Sequence, residues 1–336
     1  MAQINLNEEN YTVQNPSTEP ELTVEEKLVE HTEDLAPVEI VPEPIVLQAV
    51  EEAPALAASN ESSIMGLSVE ELNDPSKINV TIADKDAPIV VLFGPPACGK
   101  TMTLVRLARY LNEKGYTVSP VRSFRPTYDT NYTYLCDHFD TMINQDDAAE
   151  STDRISFMLV KVIQKGRTIC QILEAPGELY FNPGNPNAPF PRYLNAIKSS
   201  RCRKVWTIMV EPDWQNEQDR LNYVTRIKRL RTLMTTRDRA VIVYNKIDKT
   251  EFLINGNGQV HMSAAVKNVR DMFPGIFEPF RNTTPILSLF TPYRCDFVPF
   301  QTGDYSLAND GTSTFEPGPD EYPSKLWRVI MKHVKG

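Results

Sequence analysis

The 336-residue chain is 41% hydrophobic, enough to bury a sizeable core, and carries a formal net charge of −9. That charge is unevenly placed: residues 1–80 hold 17 acidic side chains against two lysines, about −15, which leaves about +6 on the remainder. The longest apolar runs, Pro88 to Phe93 and Val205 to Val210, fall far short of the ~20 residues of a bilayer span, and the opening MAQINLNEEN lacks a basic region followed by an apolar one, so the chain reads as soluble and cytoplasmic.

The acidic N-terminal stretch is rich in proline (Pro16, Pro20, Pro37, Pro42, Pro44, Pro54) and nearly free of aromatic residues. Such a composition buries too little apolar area to offset the entropy of ordering. Residues 1–83 are therefore expected to form a disordered acidic arm and residues 84–336 a single folded domain. Cys98, Cys136, Cys170, Cys202 and Cys295 are odd in number and show no C-x-x-C spacing, a pattern that fits reduced core thiols rather than a disulfide framework or a zinc site.

Beyond the arm, short β-branched runs alternate with stretches of helical period, which predicts a mostly parallel sheet covered by helices. Ala87 to Phe93 is a continuous apolar run, as expected of a central strand buried on both faces. Gly94-Pro95-Pro96-Ala97-Cys98-Gly99-Lys100-Thr101 follows and fits G-x-x-x-x-G-K-[ST]. Leu104, Leu107, Ala108 and Leu111 then repeat at i, i+3, i+4 and i+7, predicting an amphipathic helix over 101–114 that Gly115 stops. In this strand–loop–helix context the glycines let backbone N–H groups and the helix N-terminus converge on phosphate oxygens. Lys100 would place a point charge at the β and γ phosphates, Thr101 would ligate Mg²⁺ through its hydroxyl, and Cys98 would contribute only its backbone.

Ser156 to Ile163 and Thr168 to Leu173 are β-rich runs that pair most simply as an antiparallel hairpin, and the second leads into Glu174-Ala175-Pro176-Gly177. Val205 to Val210 and Ala240 to Tyr244 predict two more buried strands with a helix over 219–234 between them. A helix near Ala264 to Met272, a strand at Pro285 to Phe290 and a terminal helix at Ser324 to Val334 complete the expected domain. Directly after the Ala240–Tyr244 run stands Asn245-Lys246-Ile247-Asp248, an N-K-x-D tetrapeptide placed where ligands sit in such folds, at the carboxyl end of a strand.

With these motifs in this order the chain resembles the Ras-like, translation-factor-related G domain of the P-loop GTPases, over nearly everything from residue 87 onward. The resemblance implies an α/β/α three-layer sandwich, with a mostly parallel sheet and one antiparallel edge hairpin, that binds GTP or GDP with Mg²⁺. It implies that Asp248 reads the guanine N–H groups, that Asn245 fixes loop and base, and that the Lys246 stem packs along the base. Glu174 stands where the family has the Asp of D-x-x-G, Gly177 where its glycine senses the γ-phosphate, and Glu178 where many relatives carry a water-positioning Gln. Glu at 174 keeps a carboxylate near the metal but lengthens it, which suggests water-mediated support.

The same resemblance asks for a mobile loop with a Mg²⁺-binding Thr, found in residues 122–155, where Thr127, Thr130, Thr133 and Thr141 are alternatives. Arg122 and Arg125 are candidates for an internal arginine finger, and Ser263-Ala264 reads as a helix cap. Loops 122–155 and 174–192 would order with Mg-GTP and present the face for a protein partner or effector. A charge of about +6 spread over the domain does not indicate nucleic acid. The implied function is a slowly hydrolysing GTP switch. A P-loop ATPase and a GTP-binding scaffold that does not turn over are the alternatives, and a nucleoside or nucleotide kinase is disfavoured by the lack of an arginine-rich lid.

Overall fold

Each apolar run that reads as a buried strand and falls within the described residues becomes one. The computed structural model describes residues 66–144, 157–254, 258–284, 288, 291–307 and 313–335. Strand β1 is Ile89–Phe93, buried throughout. It is followed in chain order by β2 (Thr117–Pro120), β3 (Met158–Gln164), β4 (Arg167–Glu174), β5 (Lys204–Val210), β6 (Arg239–Tyr244) and β7 (Cys295–Pro299). Among the described residues these seven strands form one sheet of order β2-β3-β4-β1-β5-β6-β7.

β4, β1, β5, β6 and β7 are mutually parallel, and β3 runs antiparallel to both of its neighbours. The β3–β4 connection is a two-residue turn in which Lys165 (φ 51°) and Gly166 (φ 74°) both take positive φ, the geometry whose twist matches the flanking strands. The expected hairpin is therefore present, but β2 flanks it, so β3 is an inner strand. Nothing in a four-residue run ending on Pro120 advertised that edge strand.

Helices cover both faces. α2 (Lys100–Glu113) and the terminal α8 (Glu321–Lys335) lie together: Tyr116, just beyond α2, stands edge-on to Trp327 of α8 (5.4 Å between ring centroids), and Arg106 of α2 donates to Gly318 O and Asp320 Oδ1, just before α8, at 2.7 Å each. On the other face lie α4 (Gly177–Tyr180), α5 (Tyr193–Ser199), α6 (Glu217–Leu233) and α7 (Met262–Met272). Here Phe93 meets Tyr180 at 4.8 Å and Tyr223 at 6.2 Å, an aromatic core under the carboxyl end of β1. The chain is thus an α/β fold in which a mostly parallel sheet is sandwiched between helical layers. A small hairpin, β8 (Gly303–Leu307) with β9 (Ser313–Pro317), separates β7 from α8.

Three expectations need restating. Residues 122–155 are not one long loop: Thr130–Asn144 form helix α3, whose Tyr132, Leu135, Cys136, Phe139 and Ile143 are buried. Residues 145–156 lie outside the described residues. Of the stretch read as an arm, residues 1–65 also lie outside them, but 66–83 pack on the domain. Ser68 and Glu71 form a capping box for α1 (Val69–Asn73), Leu67, Ile78 and Ile82 are buried, and Thr81 N donates to Phe124 O at 2.8 Å. A composition averaged over eighty residues conceals so short an apolar segment. Third, the expected strand at 285–290 lies outside the described residues apart from Ser288, and the sheet's last strand is Cys295–Pro299. All five cysteines are free thiols. Among the described residues no helix is long and apolar enough to cross a membrane.

Candidate functional site

The site lies at the carboxyl ends of the parallel strands, where β1 turns through residues 94–99 into α2. Gly99 caps α2 in the left-handed region (φ 85°, ψ 27°), and a Cβ there would stand 2.3 Å from Asn245 Nδ2. Backbone conformation and close approach thus both require glycine. Ala97 (φ 58°) adopts the same region at the loop's crest, which bends the backbone inward at some cost in strain. Pro95 and Pro96 carry no N–H, so any cradle of backbone donors would come from residues 97–101. Gly94 packs so closely on Cys98 that a Cβ would lie 2.5 Å from Sγ.

Lys100 is buried, and its Nζ donates to Pro95 O at 2.7 Å, so the ammonium is folded back over the loop it would serve. Thr101 Oγ1 donates to Glu174 Oε1, and Glu174, the last residue of β4, is 1% exposed. β4 lies directly beside β1, with Glu174 in register with Leu92, which is how this carboxylate reaches the first turn of α2. The backbone of Gly177 presses on the phosphate loop: a Cβ would sit 2.1 Å from Pro96 N and 2.3 Å from Pro95 C. Glu178, the next residue, is exposed.

The N-K-x-D segment closes the other side. Asn245 is 1% exposed, its N donates to Val210 O at 2.8 Å, and its Nδ2 donates to Cys98 O at 2.9 Å. A tetrapeptide 144 positions beyond the phosphate loop therefore meets that loop directly, at the carbonyl of Cys98. Asn245 Oδ1 is buried with no hydrogen-bond partner, an acceptor left over beside the amide nitrogen that binds the loop. Lys246 adopts left-handed backbone (φ 54°, ψ 38°) and pairs with Glu211 of the loop after β5, while Asp248 sits half-buried in the short turn Ile247–Lys249. Burial, and then the Asp248 charge, push the hydroxyl of Tyr322, at the start of α8, up to about 12. Burial holds the Cys98 thiol above its ordinary value, so the thiol stays protonated and unreactive.

The structure gives other expected residues different work. Arg125 is buried and held by Glu71 (2.6 Å), Asp129 (2.9 Å) and Asn79 O (2.7 Å), while Arg122 pairs at the surface with Asp137. Both arginines are committed to local carboxylates rather than offered as fingers. Thr130, Thr133 and Thr141 belong to α3, with Thr133 Oγ1 donating back to Asp129 O at 3.1 Å, and Thr127 lies in the turn before it. Ser263-Ala264 lies inside α7, whose cap residue is His261.

Residues that no motif flags also shape the site. Tyr223 of α6 donates to Met209 O (3.1 Å) and Phe93 O (3.5 Å), pinning the ends of β5 and β1 where the phosphate loop departs. Arg226, 2% exposed, donates to Tyr180 O (2.5 Å), Pro186 O (3.4 Å) and Ala188 O and stacks 3.6 Å over the Phe190 ring. With Asn222 Nδ2 on Pro183 O (2.9 Å), it buckles the Asn/Pro-rich segment 181–190 to α6. That segment belongs to the loop 174–192 that was expected to order with Mg-GTP.

No family model matches the chain. Over 134 residues it is 25% identical to the signal recognition particle 54 kDa protein of Methanopyrus kandleri, a match that spans 38% of this chain and 29% of that protein, less than a third of its length. A solved structure described as nucleolar GTP-binding protein 1, from Plasmodium falciparum, superposes loosely, with a TM-score of 0.37 at 12% identity over 76% of this chain and 90% of that one.

Proposed function

We propose that this chain binds a guanine nucleotide with Mg²⁺ and acts as a slowly hydrolysing GTP switch of the Ras-like kind. The observation that carries the reading is the 2.9 Å hydrogen bond from Asn245 Nδ2 to Cys98 O, which joins the N-K-x-D segment to the phosphate loop. Chance occurrence of that tetrapeptide on an exposed surface would not bring it there. In this reading backbone N–H groups of residues 97–101 and Lys100 hold the phosphates, and Gly177 N–H meets the γ-phosphate from the side of Pro95 and Pro96. Asp248 accepts from the two donors on guanine, where adenine would leave the carboxylate facing a ring acceptor.

The donor set fits Mg²⁺. Thr101 Oγ1 and Glu174 Oε1 already meet, and among the described residues no group of three or more His, Cys, Asp or Glu side chains is placed to hold a metal. Mg²⁺ commonly takes only one or two protein oxygens and fills its shell with water and substrate phosphate. Bound there, it would neutralise charge on the β and γ phosphates.

The test is to reverse the hydrogen-bond pattern of one side chain. Asp248→Asn should weaken GTP binding about tenfold or more, as a mismatched buried group costs about 1–3 kcal/mol, and should strengthen XTP binding, because an amide matches the xanthine carbonyl. Direct competition that favours ATP in the wild type, or an unchanged GTP-to-XTP ratio in the variant, rejects the guanine reading. A second reading, a GTP-binding scaffold without turnover, is favoured by the exposure of Glu178 and by the carboxylate partners that hold Arg122 and Arg125. Single-turnover phosphate release separates the two.

A further inference from the structure

Two ion pairs tie the loop after β5 to the N-K-x-D loop, and they are unlike. Glu211 Oε2 forms an ion pair with Lys246 Nζ without hydrogen-bond alignment, the side chains only 12% and 27% exposed, whereas Asp213 Oδ2 and Lys249 Nζ, hydrogen-bonded at 2.7 Å, are 42% and 52% exposed. We propose that Glu211 is a positioning residue for base recognition. It holds the Lys246 ammonium so that the aliphatic stem of that lysine stays as a wall of the base pocket. The proposal rests on the guanine-nucleotide reading above and adds a residue that lies in none of the motifs.

The argument begins with the backbone. Lys246 is held at φ 54°, ψ 38°, a left-handed conformation unfavourable for an L-residue that only the surrounding structure can enforce. The side chain leaving that position is a flexible four-carbon stem ending in a strongly hydrated point charge, with no preferred direction of its own. The charges of Lys100, Glu211, Lys246 and Glu174 all act on the buried Cys98 thiol, with Lys100 Nζ 4.0 Å from its Sγ. Lys100 is turned onto Pro95 O and Glu174 receives Thr101, which leaves Glu211 and Lys246 as the second pair.

A nucleotide entering this cluster brings several negative charges, and an unrestrained ammonium would swing toward them. Lys246 would then leave the base and duplicate Lys100. The carboxylate of Glu211 opposes that swing and divides the labour, one lysine for phosphate and one for base. The Asp213–Lys249 pair, exposed and screened, contributes little to the same end.

Glu211→Gln, made in the full-length chain, keeps the shape of the side chain and removes its charge. The expected result is a GDP affinity about tenfold lower, while inorganic tripolyphosphate, which needs the phosphate loop alone, displaces a fluorescent nucleotide as well as it does from wild type. Lys246→Met combined with Glu211→Gln should lose no more than Lys246→Met alone, Glu211→Asp should recover part of the loss, and Asp213→Asn should stay within about twofold of wild type. The urea midpoint of the nucleotide-free protein checks the fold, and Glu211→Asp serves if the glutamine variant is unstable. Wild-type GDP affinity in Glu211→Gln, parallel losses of GDP and tripolyphosphate, or full additivity with Lys246→Met would each overturn the proposal. In those cases GDP is still preferred over ADP by the wild type, so the function proposed above survives. A wild type with no such preference overturns both.

Discussion

The phosphate loop and the segment from Gly177 to Phe190 touch at Pro95 and Pro96, yet they are held in opposite ways. The loop is shaped by its own backbone, left-handed at Ala97 and Gly99, with side-chain ties from Lys100 to Pro95 O, from Asn245 to Cys98 O and from Thr101 to Glu174. The neighbouring segment is shaped from outside, by a guanidinium of α6 that meets its carbonyls one after another. Pre-shaped backbone with few ties suits a place where a ligand supplies the remaining partners. A segment whose carbonyls are already satisfied has less need of one. The contrast predicts a separation of effects: changes in the loop should alter nucleotide binding and spare stability, and changes in the clamp should do the reverse.

Lys100→Ala should give the largest effect. The side chain is buried but packs as an arm over the loop rather than in the sheet, and its removal takes away the charge that faces the phosphates. GTP affinity should fall on the order of 100-fold, about 3 kcal/mol, with an unchanged urea midpoint. Calorimetric titration beside a denaturation curve reads both quantities. An equal loss of stability would erase the contrast between the regions.

Arg226→Met comes next and should act on the other quantity. Burial, with Arg229 close by, pulls the Arg226 pKa down to about 10, so at neutral pH the guanidinium is still charged and depends on the carbonyls around it. Methionine keeps the contact with the Phe190 ring, leaves Tyr180 O without its donor and leaves Ala188 O to Arg229 alone. The cost should be about 2 kcal/mol of stability, read from urea unfolding, with GTP affinity within about threefold of wild type. A drop in affinity that matches the loss of stability would mean that the clamp supports the loop through Gly177, and the two regions would then be one unit.

The same contrast explains what could be read from the sequence. Backbone-determined features were legible because glycine spacing and apolar runs report them directly: the loop Gly94 to Thr101, the buried Ile89–Phe93 strand and the antiparallel pairing of β3 with β4 all stand where the pattern places them. The contact of Asn245 with Cys98 was foreshadowed by N-K-x-D at a strand end. Side-chain commitments were not legible, since nothing local tells Arg125 that Glu71 will lie beside it or tells Arg226 that it will meet carbonyls some forty residues earlier. Helix α3 is a different case. Tyr132, Leu135, Cys136, Phe139 and Ile143 follow helical spacing, but the expectation of a mobile loop, taken from the resemblance, outweighed that period.

The smallest expected effect concerns Glu178, and it tests whether the face between the two regions is built for catalysis. Its side chain is exposed on the first turn of the short helix Gly177–Tyr180, next to the glycine that presses on Pro96 but outside the packed site. A water-positioning group must stand within hydrogen-bond reach of both the water and the γ-phosphate, and a carboxylate there also repels the phosphate it approaches. Replacing Glu178 with Gln removes the repulsion and keeps the hydrogen-bonding oxygen. Replacing it with Ala removes both. If the exposed position is the working one, single-turnover phosphate release should change by no more than about threefold in either variant, because the side chain does not reach the reacting atoms. A rise of tenfold or more in the Gln variant would show that the carboxylate had been restraining hydrolysis at close range. The segment from Gly177 would then have to leave its clamp on α6 when GTP binds, making the clamp the part of the molecule that switches.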